Sequence, residues 1–145
     1  MKTNPQYDKD FYAWALNSAR LLRQGKFKEM DVEHIAEEIE SMGSSERQEL
    51  VNRLAVLIAH LLKWKCQADR RSNSWKSTIK EQRIQINDLL EESPSLKHIL
   101  KEKWNRTYER AILKAAGETG LSEKSFSKES PFELDQCLDD HFFPE

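Results

Sequence analysis

The sequence predicts an all-α fold, an irregular four- to five-helix bundle in a single domain. Three observations carry that reading. Apolar residues recur at intervals of three and four through most of the chain, the period of a helix with one buried face. Only four Gly and four Pro stand among 145 residues, too few for the turns of an all-β fold. No run of strictly alternating apolar and polar residues marks a strand. A chain of this length can bury roughly 70% of its unfolded surface, so a core forms without disulfides or metals.

Each element has its own signal. The first helix is expected over residues 8–24, where Phe11, Trp14, Ala15, Leu21 and Leu22 form a stripe and Gly25 stops it. The second is expected over 31–42, capped by Asp31 and carrying Val32, Ile35, Ile39 and Met42. Met42-Gly43-Ser44-Ser45 then predicts a break, because Gly is costly inside a helix and either Ser can cap a new one. Over 45–66 the stripe resumes at Leu50, Leu54, Leu57, Leu61 and Trp64. A polar connection precedes a helix at 74–91 with Trp75, Ile79, Ile86, Leu89 and Leu90. Ser93-Pro94 marks a stop and restart. The next helix, 94–116, carries Leu96, Leu100, Trp104, Tyr108, Ile112 and Ala115 and ends near Gly117 or Gly120. A short helix over 131–138 is expected, with Ser130 and Glu133 as a capping box, followed by an acidic tail.

Charge is segregated beneath a net value of −2. Residues 28–50 hold eight acidic residues against two basic, and residues 129–145 hold six acidic and no Lys or Arg. Residues 60–83 hold seven basic residues against two acidic, and residues 97–114 hold six against two. Acidic and basic helices lying side by side would neutralise one another; a basic face open to solvent would instead attract a polyanion. The longest apolar run, Leu54 to Leu62, is too short for the ~20 residues of a membrane span. Met1-Lys2-Thr3-Asn4-Pro5 has no apolar signal region, and two cysteines make no disulfide framework. A cytoplasmic protein with no membrane partner is expected.

Three constellations are candidates for chemistry. Arg53 and His60, seven residues apart, share a helix face. A neutral imidazole can take a proton from a ribose 2′-OH while a guanidinium stabilises phosphate charge. This spacing resembles the signature of HEPN ribonucleases, helical bundles that cleave RNA without a metal, and the same pair also serves as an ordinary ion-paired helix face. His34 and Glu38, with Glu33, Glu37 and Glu40, could present two metal ligands on one face, but a second such motif on another helix is missing. No metal and no cofactor are expected. The third is the basic run with Lys63, Trp64, Arg70, Arg71, Ser74, Trp75, Thr78, Gln82 and Arg83. Cations would hold phosphates, Trp would stack a base, and the amide and hydroxyls would add hydrogen bonds. Core anchoring by both Trp explains the same pattern. No Gly-rich phosphate loop and no Ser-His-Asp or Cys-His pattern is found.

Several stretches also resemble a known family. Tyr7-Asp8-Lys9-Asp10-Phe11-Tyr12-Ala13-Trp14, Ile35-Ala36-Glu37-Glu38-Ile39-Glu40-Ser41-Met42-Gly43, His60-Leu61-Leu62-Lys63-Trp64, Ser74-Trp75, Gln82-Arg83 and Ser93-Pro94-Ser95-Leu96 appear in that order. Together with Glu118-Thr119-Gly120-Leu121 and Ser130-Pro131-Phe132, they resemble the bacterial family called domain of unknown function twenty-nine. The resemblance implies a helical domain and assigns no catalytic residue. Its recurrent polar words point to a network of Glu37, Glu38, His60 and Arg83, with a glutamate facing the arginine, or to a binding site made of the same groups.

The sequence therefore reads as a small binding or interaction module, contacting nucleic acid or a protein partner through residues 60–83. The alternatives are a metal-independent ribonuclease using Arg53 and His60, and a homo-oligomer docking through exposed Phe126, Phe132, Phe142 and Phe143.

Overall fold

The longest element of the computed structural model, which describes residues 5–145, is a helix of 35 residues. The part of the N-terminal segment before Pro5, read above for a signal region, lies outside the described residues. The chain is all-α. Its helices are α1 (Pro5–Lys9), α2 (Phe11–Arg23), α3 (Val32–Cys66), α4 (Asn73–Glu92), α5 (Leu96–Glu102), α6 (Trp104–Thr119) and α7 (Leu134–Leu138), joined by short 3₁₀ turns. There is no strand among the described residues, and none of the helices is long and apolar enough to cross a membrane.

Two compact units divide the chain, Met1–Ser45 and Glu46–Glu145. In the first, Asp10 caps α2 by accepting from the Ala13 amide at 3.1 Å, and Gly25 ends it at φ +68°, a conformation Gly adopts without strain. Asp31 accepts from the His34 amide at the start of α3. Trp14, Ser18 and Leu21 are buried along α2 and His34 along α3. Phe11 and Leu22, expected on the buried stripe, are exposed, as are Val32, Ile39 and Met42 of the first turns of α3.

The second unit holds the dense core. Leu50, Leu54, Leu57 and Leu61 of α3 pack with Ile79 and Ile86 of α4, Leu96 and Leu100 of α5, and Tyr108, Ala111 and Ala115 of α6. Ser72 caps α4 through the Trp75 amide at 3.1 Å, and Gly120 ends α6 at φ +75°.

Four sequence expectations need correction. The break at Met42–Ser45 is absent: α3 runs through Gly43, whose helix penalty of about 1 kcal/mol is small against the packing of a helix this long. The same residues do mark a boundary, the one between the two compact units. The helix expected over 94–116 is two helices divided at Lys103. There the Lys103 carbonyl accepts from both the Thr107 amide at 2.9 Å and the Thr107 hydroxyl at 2.7 Å. Ser130 caps nothing; its hydroxyl turns back on Phe132, and α7 is instead opened by Gln136 accepting from the Glu133 amide at 3.0 Å. The C-terminal phenylalanines are not an exposed patch. Phe126 and Phe132 are buried, Phe142 and Phe143 are half-buried against the core, and the homo-oligomer reading loses the surface it was built on.

Candidate nucleic-acid interface

The basic stretch 60–83 spans the end of α3, the connection and the first half of α4; of its seven cations Lys63, Arg71 and Arg83 turn inward, while Lys65, Arg70, Lys76 and Lys80 stand exposed. Arg83 sits at a core position of α4, between Ile79 and Ile86 in helical register, and is completely buried. Its Nε donates to the Cys137 carbonyl at 2.7 Å and its Nη2 to the Phe142 carbonyl at 2.6 Å. Its Nη1 is buried without a hydrogen-bond partner, and the guanidinium lies 5.3 Å from the Phe143 ring. Burial lowers the Arg83 pKa, partly offset by Cys137, Asp140 and Asp139. Burial pushes the Cys137 thiol up to about 12, so it stays protonated and unreactive at neutral pH.

Arg71 does similar work at the other end of the same segment. Its Nε donates to the Trp64 carbonyl at 2.8 Å, its Nη2 to the Pro144 carbonyl at 3.3 Å, and it covers the Trp64 ring at 5.0 Å. Phe143 packs on Trp64 at 5.1 Å. The two arginines therefore tie the C-terminal segment to α3 and α4 through main-chain carbonyls. Lys63 is buried, donates to Glu118 at 2.8 Å and lies 4.8 Å above the Trp75 ring. That bond, first among the causes, lowers the Glu118 pKa. Arg70 and Ser74 remain exposed, and Thr78 is half-buried.

Arg83 and Glu38, expected to face one another, each make their hydrogen bonds within their own compact unit. Arg83 is held by carbonyls of Cys137 and Phe142, while Glu38 accepts from the Tyr7 hydroxyl, which pushes that phenol up to about 12. Glu37 is exposed. His34 is not offered to a metal: its Nδ1 pairs with Asp31 at 2.7 Å, and its ring stacks on Tyr7 at 4.1 Å. Among the described residues, no group of three His, Cys, Asp or Glu side chains gathers as ligands would.

Arg53 and His60 share α3, as their spacing requires, but differ in what they reach. Arg53 Nε binds Glu49 at 3.0 Å, one turn towards the helix N-terminus and away from His60, and its Nη1 binds Gln82 at 3.3 Å. His60 Nδ1 bonds to the Val56 carbonyl at 3.0 Å. Burial, above all, lowers the His60 pKa, so the imidazole is neutral at pH 7. Two helical turns, about 10 Å of rise, separate the two positions.

An open basic cleft lies on residues the sequence reading did not single out. It has a volume of about 550 Å³ and is lined by Arg47, Gln48, Val51 and Asn52 of α3 and by Lys103, Arg106, Thr107 and Arg110 at and after the α5–α6 junction. Four of the eight are cations and none is acidic. Arg110 is steadied by Asn52, whose Oδ1 accepts from its Nη2 at 2.6 Å. Arg47, Lys103 and Arg106 are exposed. Lys103, Arg106 and Arg110 lie three and four apart in the basic stretch 97–114, which was the available signal. Arg47 gave none, being one of two basic residues in an acidic stretch.

Fold and cleft together define a small all-α protein with a cation-lined groove. The sequence model of the family described as Domain of unknown function DUF29 matches residues 6–143, and the chain belongs to that family. No curated protein matched the chain, and no solved structure did.

Proposed function

We propose that this protein is a cytoplasmic binding module for nucleic acid that grips phosphate groups in the cleft between α3 and the α5–α6 junction. The observation that carries this reading is the lining of that cleft: Arg47, Lys103, Arg106 and Arg110 converge there with no carboxylate among the lining residues. Like charges brought together without counter-charge repel one another, and a phosphate relieves that repulsion while accepting bidentate bonds from arginine. Residues 60–83 contribute less to such a surface than their composition promises, because Lys63, Arg71 and Arg83 are spent on Glu118 and on main-chain carbonyls. Lys65, Arg70, Ser74, Lys76 and Lys80, which are exposed, remain open to a secondary contact.

Gel retardation of mixed structured RNA, with the salt raised from about 50 to about 200 mM, tests this reading. Retardation at low salt that fades steeply with salt, and is lost in Arg106→Glu, is the expected result. Intact, unretarded RNA at low salt would remove nucleic acid as the partner and leave a protein interaction. The neutral His60 keeps one observation on the side of the ribonuclease alternative. Cleavage that survives EDTA and vanishes in His60→Ala would replace binding by catalysis.

A further inference from the structure

Resting on the binding reading above, we infer that the cleft takes the phosphate backbone of a double-stranded nucleic acid, without stacking or base reading. Three features of the cleft lead there. The first is the row of cations. Lys103, Arg106 and Arg110 follow one another at three and four residues along one face. At 1.5 Å of rise per residue the row spans about 10 Å, the length over which one strand of a duplex presents about three phosphates. Arg47 adds a fourth cation from the opposite wall, on α3.

The second is the hydrogen-bonding character of the lining. The Thr107 hydroxyl gives its hydrogen to the Lys103 carbonyl, and Asn52 Oδ1 accepts from Arg110. With those groups engaged and four cations present, the cleft offers mainly donors, which suit phosphate oxygens.

The third is the placing of aromatic rings. Proteins that hold unpaired strands stack bases on exposed rings, and no ring lines this cleft. Trp14 is buried, Arg71 covers Trp64 and Lys63 covers Trp75. Trp104 lines a separate groove with Tyr108 and Phe126. A duplex keeps its bases stacked internally and needs no such platform.

Fluorescence anisotropy on the full chain tests the inference with a short duplex DNA, the matching duplex RNA, each unpaired strand, and inorganic tripolyphosphate as competitor. Both duplexes are expected to bind about tenfold or more tighter than their strands, with a log–log salt slope of about −3. Arg106→Gln is expected to lower that slope by about one without creating sequence preference. A preference for one duplex over the other supports the inference and names the source. Strands bound as tightly as duplexes, with Arg106→Glu still abolishing binding, overturn the inference and leave the binding reading in place. Tripolyphosphate held tightly while duplexes are ignored overturns both. So does duplex binding that Arg106→Glu does not change in a protein shown to be folded by circular dichroism.

Discussion

Two stretches of the same helix carry the same hydrophobic period and meet opposite surroundings. Val32, Ile35, Ile39 and Met42 repeat at three, four and three residues in the first compact unit, and Val32, Ile39 and Met42 stand exposed. Leu50, Leu54, Leu57 and Leu61 repeat at four, three and four residues in the second, and all four are completely buried. Periodicity fixes which residues share a face of a helix. It does not fix whether anything covers that face. In the second unit, α4, α5, α6 and the C-terminal segment supply the cover.

The contrast makes unequal predictions. Leu57→Ala should cost the most, about 4 kcal/mol, from lost transfer energy and the cavity it leaves. Chemical denaturation would read this as a lower midpoint at an unchanged slope; a loss below about 1 kcal/mol would mean that the core relaxes around the gap.

Arg83→Met should cost somewhat less, about 3 kcal/mol, because it strands the buried Cys137 carbonyl and takes the donor from the part-buried Phe142 carbonyl. Relief of the buried charge offsets part of that cost. Proteolysis should then cut first in the C-terminal segment, since both carbonyls belong to it. A variant as stable as the parent, with the segment still protected, would show that apolar packing alone holds it.

The smallest effect is expected for Ile39→Ala, within about 0.5 kcal/mol, since its side chain already stands in water and Ala favours helix. A cost matching that of Leu57→Ala, and growing with protein concentration, would break the comparison by showing that a second molecule covers this face.

Arg83 and Arg106 show how far a chain of residues can be read for its site. Both were visible as members of basic stretches, 60–83 with seven cations in 24 residues and 97–114 with six in 18. Two arginines of 60–83, Arg71 and Arg83, are consumed internally, because the C-terminal segment crosses α3 and α4 with carbonyls that need donors, and Lys65, Arg70, Lys76 and Lys80 stay exposed. The shorter stretch, 97–114, keeps five of its six cations exposed, and Arg47 joins them from an acidic neighbourhood.

By itself the sequence determined the all-α class, from period and from scarce Gly and Pro; the turn at Gly25, with Gly117 and Gly120 left as alternatives for the later stop; and the family, through ordered words spread along the chain. These are local or additive signals, and each residue carries its share without knowing its neighbours in space. Only the tertiary structure decided that Gly43 stays helical, that Phe126 and Phe132 are core, that Arg83 is buried on carbonyls, and which four cations share a cleft. Burial and charge convergence depend on what packs against a face, and contacts between residues 50 or more positions apart set that.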